Sequence, residues 1–257
     1  MDAPKAKISV RDLTMAYGSF VVMKDLNFDI NDRDIFIIMG GSGCGKSTLL
    51  RHLIGLREPA KGEVFYDGKN FTTTDPADRG EFINRFGVMY QSGALWSSMT
   101  LAENIAMPIE ENTDLNEKEV ADLVSYKLAL VGLSGYEDYY PAQVSGGMNK
   151  RAGIARAMAL DPDILFLDEP GAGLDPLSSR RLDDLILRLR ESSGSTIVIV
   201  THELASIFAV ANNSIFLDTA TRTQGAIGDP KELRDHSENP AVRIFLNRGD
   251  DPESNPT

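Results

Sequence analysis

The chain has 257 residues, 42% of them apolar, and its 26 Lys and Arg stand against 38 Asp and Glu for a formal charge of −12. That length and apolar content bury a full core as one large domain or two closely joined subdomains, and exclude a disordered or fibrous protein. The acidic balance argues against nucleic acid as the main partner, because neutralising phosphates needs a basic face, and against tethering by lipid electrostatics alone.

The first segment, MDAPKAKISV, lacks the apolar stretch of a signal peptide, and a lone cysteine offers no disulfide framework. Both point to the cytoplasm. Ile8 and Val10, then Leu26, Phe28 and Ile30, alternate in a strand-like way, with Gly18 and Asn31-Asp32 as turn signals, and predict an antiparallel β flap. Residues 34–39 form a nearly all-apolar run ending in glycines, as expected of a strand buried on both faces, and a helix follows from Lys46 to about Leu56. Residues 63–66 with Asp67-Gly68 read as a further β segment and turn.

From about residue 92 to 160 the pattern becomes helical. Val120, Leu123, Val124, Lys127, Leu128 and Val131 keep helical spacing, with Asn116 and Glu119 placed as a cap and its reciprocal partner. The β pattern resumes at residues 164–167, 196–200 and 215–217, separated by an amphipathic stretch over 177–190. Strands alternating with helices predict an α/β fold with a mostly parallel sheet. The longest apolar runs, such as 35–39 and 197–200, are strand length, whereas a membrane-spanning helix needs about 20 apolar residues. Residues 240–247, with Val242, Ile244, Phe245 and Leu246, form a short amphipathic element that packs on a neighbouring subunit or on the chain's own core. The polar tail beyond Asn247 is expected to be disordered.

Gly40-Gly41-Ser42-Gly43-Cys44-Gly45-Lys46-Ser47 matches the phosphate-binding loop pattern G-x-x-x-x-G-K-[ST], directly after a buried strand and before a helix. The glycines let backbone N–H groups turn toward phosphate oxygens, and the helix N-terminus adds partial positive charge. Lys46 supplies the full charge, Ser47 a hydroxyl oxygen for Mg²⁺, and Thr48 a further phosphate contact. Cys44, inside that loop, reads as a small residue facing the helix, vulnerable to oxidation or alkylation that would block nucleotide. Residues 164–167 run into Asp168-Glu169, two carboxylates at a strand's C-terminal edge, where α/β sheets bind ligands. Asp168 is placed to hold Mg²⁺ through its water shell and Glu169 to take a proton from, or orient, the water attacking the γ-phosphate. A third apolar strand delivers His202, whose imidazole can bond that phosphate. For His52 and His236 a structural or solvated role is the better reading.

Val144-Ser145-Gly146-Gly147-Met148, lying before a helix and before the acid pair, makes the chain resemble the ATP-binding cassette (ABC) family over residues 6 to about 230. The resemblance implies a RecA-like P-loop NTPase fold with an N-terminal antiparallel β subdomain and a helical signature subdomain. It implies one ATPase domain over 1–247, its core in 6–90 and 161–230 and its helical part in 92–160, with a C-terminal extension over 231–257. It implies ATP and Mg²⁺ as cofactors. Ser145, Gly146 and Gly147 would close on the ATP of a second copy in a head-to-tail homodimer. Tyr17 matches the aromatic that stacks on adenine, or is a strand-end tyrosine of the flap. Gln91 matches the glutamine joining the Mg²⁺ and water shell to the membrane domain. Asp175 matches the loop coupling the two sites, compatible with a helix cap before Pro176.

Gly41, Val144, Met148, Gln91-Ser92-Gly93-Ala94-Leu95 and Thr201-His202-Glu203 look like the ATPases of MCE-type lipid transporters, including the Mla phospholipid system. That likeness implies a peripheral subunit on the cytoplasmic face of the inner membrane. It would receive an integral-membrane permease at residues 91–99 and work with an MCE-domain substrate-binding protein. Leu95, Trp96 and Met99 would anchor the permease, or Trp96 packs inside the helical subdomain.

Overall fold

Alternating apolar residues set the first two strands of the computed structural model, which describes residues 5–91 and 93–248. β1 (Ala6–Tyr17) and β2 (Phe20–Asn31) pair antiparallel; Ile8 and Val10, and Leu26, Phe28 and Ile30, turn to the buried face as a period of two requires, and an irregularity between Val10 and Leu13 buries Leu13 as well. Next come β3 (Ile35–Gly40), α1 (Lys46–Leu53), β4 (Lys61–Tyr66), β5 (Lys69–Asn70), α2 (Gly80–Ile83), β6 (Phe86–Met89), α3 (Leu101–Asn112) and α4 (Glu117–Leu130). The chain continues through α5 (Gly146–Ala157), β7 (Ile164–Asp168), α6 (Pro176–Ser193), β8 (Thr196–Val200), α7 (Leu204–Val210), β9 (Asn213–Asp218), β10 (Thr223–Ile227), α8 (Pro230–His236) and α9 (Pro240–Leu246).

These elements group into two units, residues 1–83 with 196–257 and residues 84–195. The first unit contains the flap, ordered β2-β1-β4-β5, and strands in the order β10-β9-β3-β8. Every residue of β3 and β8 is buried, and β3 pairs in parallel with both β8 and β9, while β10 adds an antiparallel edge. Antiparallel β10 is a departure from the sequence reading; its run Thr-Gln-Gly-Ala-Ile has too little apolar alternation to stand out. In α9, Val242 and Leu246 are buried and the Phe245 ring lies 5.3 Å from that of Phe216, so this helix packs on its own unit. The tail beyond Arg248 lies outside the described residues.

The second unit pairs β6 and β7 in parallel and carries α3 to α6. Asn116 and Glu119 form the expected capping box at the start of α4, and Thr100 with Glu103 forms another at α3. β6 has no strong signal because it contains Gly87. The glycine is needed there, since a Cβ would come within 2.1 Å of the Ala157 carbonyl oxygen of α5. Among the described residues no helix is long and apolar enough to cross a membrane.

Candidate active site

The first unit holds the phosphate loop between β3 and α1. Gly40 has φ +146°, and a Cβ there would lie 2.7 Å from both the Cys44 sulfur and the Leu217 carbonyl oxygen. Gly45, at φ +100°, caps α1 and would clash with Val22 at 2.8 Å. Lys46 Nζ donates to the carbonyl oxygens of Gly40 and Gly41, both at 3.0 Å, which centres the buried ammonium on the loop. Ile38 of β3 pairs with Val200 of β8, so the loop and exposed His202 begin two residues beyond that pair, at one sheet edge. Tyr17, 42% exposed, lies with its hydroxyl 3.5 Å from the Thr48 hydroxyl. That bond, with the charges of Arg57 and Arg51, holds the phenol below its ordinary value.

The second unit holds the carboxylates. Met89 of β6 pairs with Leu167 of β7, so Gln91 and Glu169 each stand two residues beyond the pair and abreast of one another. Asp168 and Glu169 are buried, whereas Gln91 is exposed. Glu169 has φ +50°, a left-handed backbone that a residue other than glycine adopts at a cost, and such strain gathers at functional positions. The signature residues open α5: Ser145 caps it, accepting from the Met148 N–H at 3.2 Å, and the first-turn N–H groups of Gly146 and Gly147 face outward from a helix N-terminus. Beside them is a cleft of about 620 Å³ lined by Ser145, Gly147, Met148, Arg151, Leu174 and Ser178, among others. Asp175 caps α6, accepting from the N–H groups of Leu177 and Ser178 at 3.0 Å; the Ser178 hydroxyl holds its carboxyl below the usual range.

The phosphate loop and acid pair are matched in kind by a known family: residues 23–172 fit the model of the ABC transporter family. The chain belongs to the ABC transporter family. It is an ATPase of the cassette type. It is 40% identical over 240 residues to the "Probable ribonucleotide transport ATP-binding protein mkl" of Mycobacterium leprae, covering 93% of this chain and 68% of that one. It is 35% identical over 245 residues to the "Intermembrane phospholipid transport system ATP-binding protein MlaF" of Haemophilus influenzae, covering 95% of this chain and 92% of that one. Among solved structures, the dimeric ATP-binding cassette MJ0796 in a post-hydrolysis state with ADP and Pi superposes with a TM-score of 0.78 at 26% identity, over 86% of this chain and 98% of that one.

For an ABC ATPase, three details of the loops differ from their sequence reading or extend it. Gly41 has an ordinary φ and open space around its Cα, so the backbone itself does not demand glycine there. Cys44 is 1% exposed, and burial pushes its thiol up against the weaker opposing pull of Lys46, so it is shielded rather than vulnerable. Trp96 is 56% exposed; its backbone is fixed by Asn104, whose side chain accepts from the Trp96 N–H at 2.7 Å and donates to its carbonyl at 3.1 Å. Its side chain is therefore not packed inside the helical subdomain.

Two cations escaped the sequence reading because nothing in their spacing marks them. Arg57 lies with its guanidinium carbon 3.7 Å from the centre of the Tyr17 ring and donates to the Ala16 carbonyl at 2.9 Å. Lys150, buried in α5, donates to the main-chain carbonyls of Gln91 and, at 3.3 Å, of Glu169. Of the other histidines, His52 is buried with its Nδ1–H donating to the Arg57 carbonyl at 2.8 Å, and His236 is solvated, 3.9 Å from Glu232. Both have the structural or solvated character that their positions suggested.

Proposed function

We propose that the chain is one half of a head-to-tail ATPase pair that drives a membrane permease for phospholipid, working from the cytoplasmic face of the inner membrane. In this reading the phosphate loop and Lys46 hold the β- and γ-phosphates, with Ser42, Gly43 and Cys44 contributing N–H groups and Thr48 its hydroxyl. Tyr17 stacks on adenine. Glu169 takes the proton of the attacking water, Gln91 helps orient that water, and His202 bonds the γ-phosphate. Ser47, Asp168 and Gln91 would hold Mg²⁺. They offer one hydroxyl, one carboxylate and one amide, the sparse hard-oxygen set suited to an ion that keeps waters and phosphate oxygens as its other ligands. Held there, Mg²⁺ would supply positive charge against that developing on the phosphate oxygens.

The signature N-terminus, Ser145 to Gly147, then closes on the second subunit's nucleotide, and Asp175 couples the two sites. The dimeric form of the related cassette with ADP and Pi supports this arrangement. Leu95, Trp96 and Met99 present the permease-docking surface, with an MCE-domain protein supplying the lipid. The observation that carries the phospholipid cargo is the similarity to the Haemophilus influenzae protein along 92% of that relative's length. The higher identity to the Mycobacterium leprae protein favours a second reading, transport of ribonucleotide-type solutes, but extends over only 68% of that relative.

The test is to express a tagged Glu169→Gln chain in its native host, extract membranes gently with ATP, and identify what co-purifies by mass spectrometry. A permease with an MCE-domain protein and phospholipid supports the proposal. A permease with a different binding protein overturns the cargo, and no membrane protein at all overturns the transport role.

A further inference from the structure

Lys150, a residue 8% exposed, lies in α5, and its ammonium donates to two main-chain carbonyls, those of Gln91 and Glu169. A buried ammonium is costly unless its protons find acceptors, and here two of them come from the residues read as water-orienting amide and general base. The same stripe of α5 grips the rest of that loop. Gly153 approaches so closely that a Cβ would lie 3.0 Å from Gly93 Cα, and Arg156 donates to the carbonyls of Ala94 at 2.7 Å and Gly93 at 3.3 Å. Positions 150, 153 and 156 recur at helical spacing, so one face of the helix makes all these contacts. Its N-terminus carries the signature residues.

Backbone conformation makes the hold on Glu169 consequential. Glu169 sits at φ +50° directly before Pro170, yet a residue before proline favours extended backbone. Where the Glu169 carboxylate points depends on what keeps its peptide groups turned, and the Lys150 ammonium is bonded to its carbonyl oxygen.

We infer that Lys150 is a positioning residue: by tying the Gln91 and Glu169 backbones to α5 it holds the water-orienting pair in register, so that the Glu169 carboxylate stays aligned for its water. The inference rests on the reading of Glu169 as general base, and the experiment separates the two.

Steady-state ATPase activity is measured on the full chain co-purified with its membrane partners, as wild type, Lys150→Met, Lys150→Arg and Glu169→Gln, each checked by thermal melting. The expected result is a kcat about tenfold lower for Lys150→Met with the KM for ATP within about twofold, and a kcat within about threefold of wild type for Lys150→Arg, which keeps donors in reach of both carbonyls. In single-turnover assays, Lys150→Met is expected to add less than about twofold to the defect of Glu169→Gln, because both act through one group. Normal kcat in Lys150→Met beside an inactive Glu169→Gln overturns the positioning role alone, as does a full tenfold additional loss in the double variant. Wild-type turnover in Glu169→Gln overturns the general-base reading and this inference with it. Should Lys150→Met fail to fold, Lys150→Gln is compared with Lys150→Arg. Reduced kcat in the glutamine variant with unchanged KM supports the role, and equal kcat in both overturns it.

Discussion

The guanidinium of Arg57 lies 3.7 Å from the centre of the Tyr17 ring and is itself tied to the Ala16 carbonyl. A cation held over a ring fixes the plane of that ring, and a fixed plane loses less freedom when a base stacks on it. Tyr17→Ala is therefore expected to raise the KM for ATP about tenfold, the loss of one stacking contact, with kcat little changed. Tyr17→Trp should retain affinity, and Arg57→Ala should weaken it by a smaller factor, about threefold. Titration with a fluorescent ATP analogue reads all three, and unchanged affinity in Tyr17→Ala would place adenine elsewhere.

Two neighbouring glycines should behave differently. Gly40→Ala forces a Cβ within 2.7 Å of the Leu217 carbonyl oxygen at φ +146°, whereas Gly41→Ala meets no atom within 4 Å. Thermal melting should show Gly40→Ala destabilised by about 2–4 kcal/mol and Gly41→Ala changed by less than about 0.5 kcal/mol. Equal losses would show that the loop relaxes around the added methyl.

Cys44 combines 1% exposure with a thiol raised by burial. Maleimide labelling at neutral pH should be at least about tenfold slower in the folded chain than in urea, since only exposed thiolate reacts. Rapid labelling of the folded chain, read by mass spectrometry, would mean that the phosphate loop opens readily.

His52 gives a defined pH response. Burial holds its imidazole below the ordinary histidine value of about 6.5, so the unfolded chain binds the proton more readily than the folded one. Its contribution to stability is fully present above the unfolded value and is lost as pH falls from there through the depressed folded value. Urea midpoints measured from pH 7.5 downward should fall more steeply for wild type than for His52→Gln, which cannot titrate. Parallel curves would contradict the assignment.

The phosphate loop, the acid pair and His202 were legible because each follows an apolar strand. Runs 35–39, 164–167 and 197–200 announce β3, β7 and β8, and the glycine loop, Asp168-Glu169 and Thr201-His202 fall at strand C-terminal ends for that reason. What the sequence concealed depends on distance along the chain. Lys150 and Gln91 are 59 positions apart and Arg57 and Ala16 are 41 apart, and no local period links them. The strands β6 and β10 were hidden by Gly87 and Gly225, which interrupt their apolar alternation. The exposure of Trp96, whose backbone Asn104 holds from eight positions away, is likewise something that composition cannot reveal.

The central claim is that Glu169 supplies the base for ATP hydrolysis while Lys46 and its loop supply binding. The most direct measurement is phosphate release together with nucleotide affinity for wild type, Glu169→Gln and Lys46→Ala. The account predicts that Glu169→Gln binds ATP as tightly as wild type and loses at least about a hundredfold in kcat, and that Lys46→Ala loses binding. A Glu169→Gln chain that releases phosphate at the wild-type rate would contradict it.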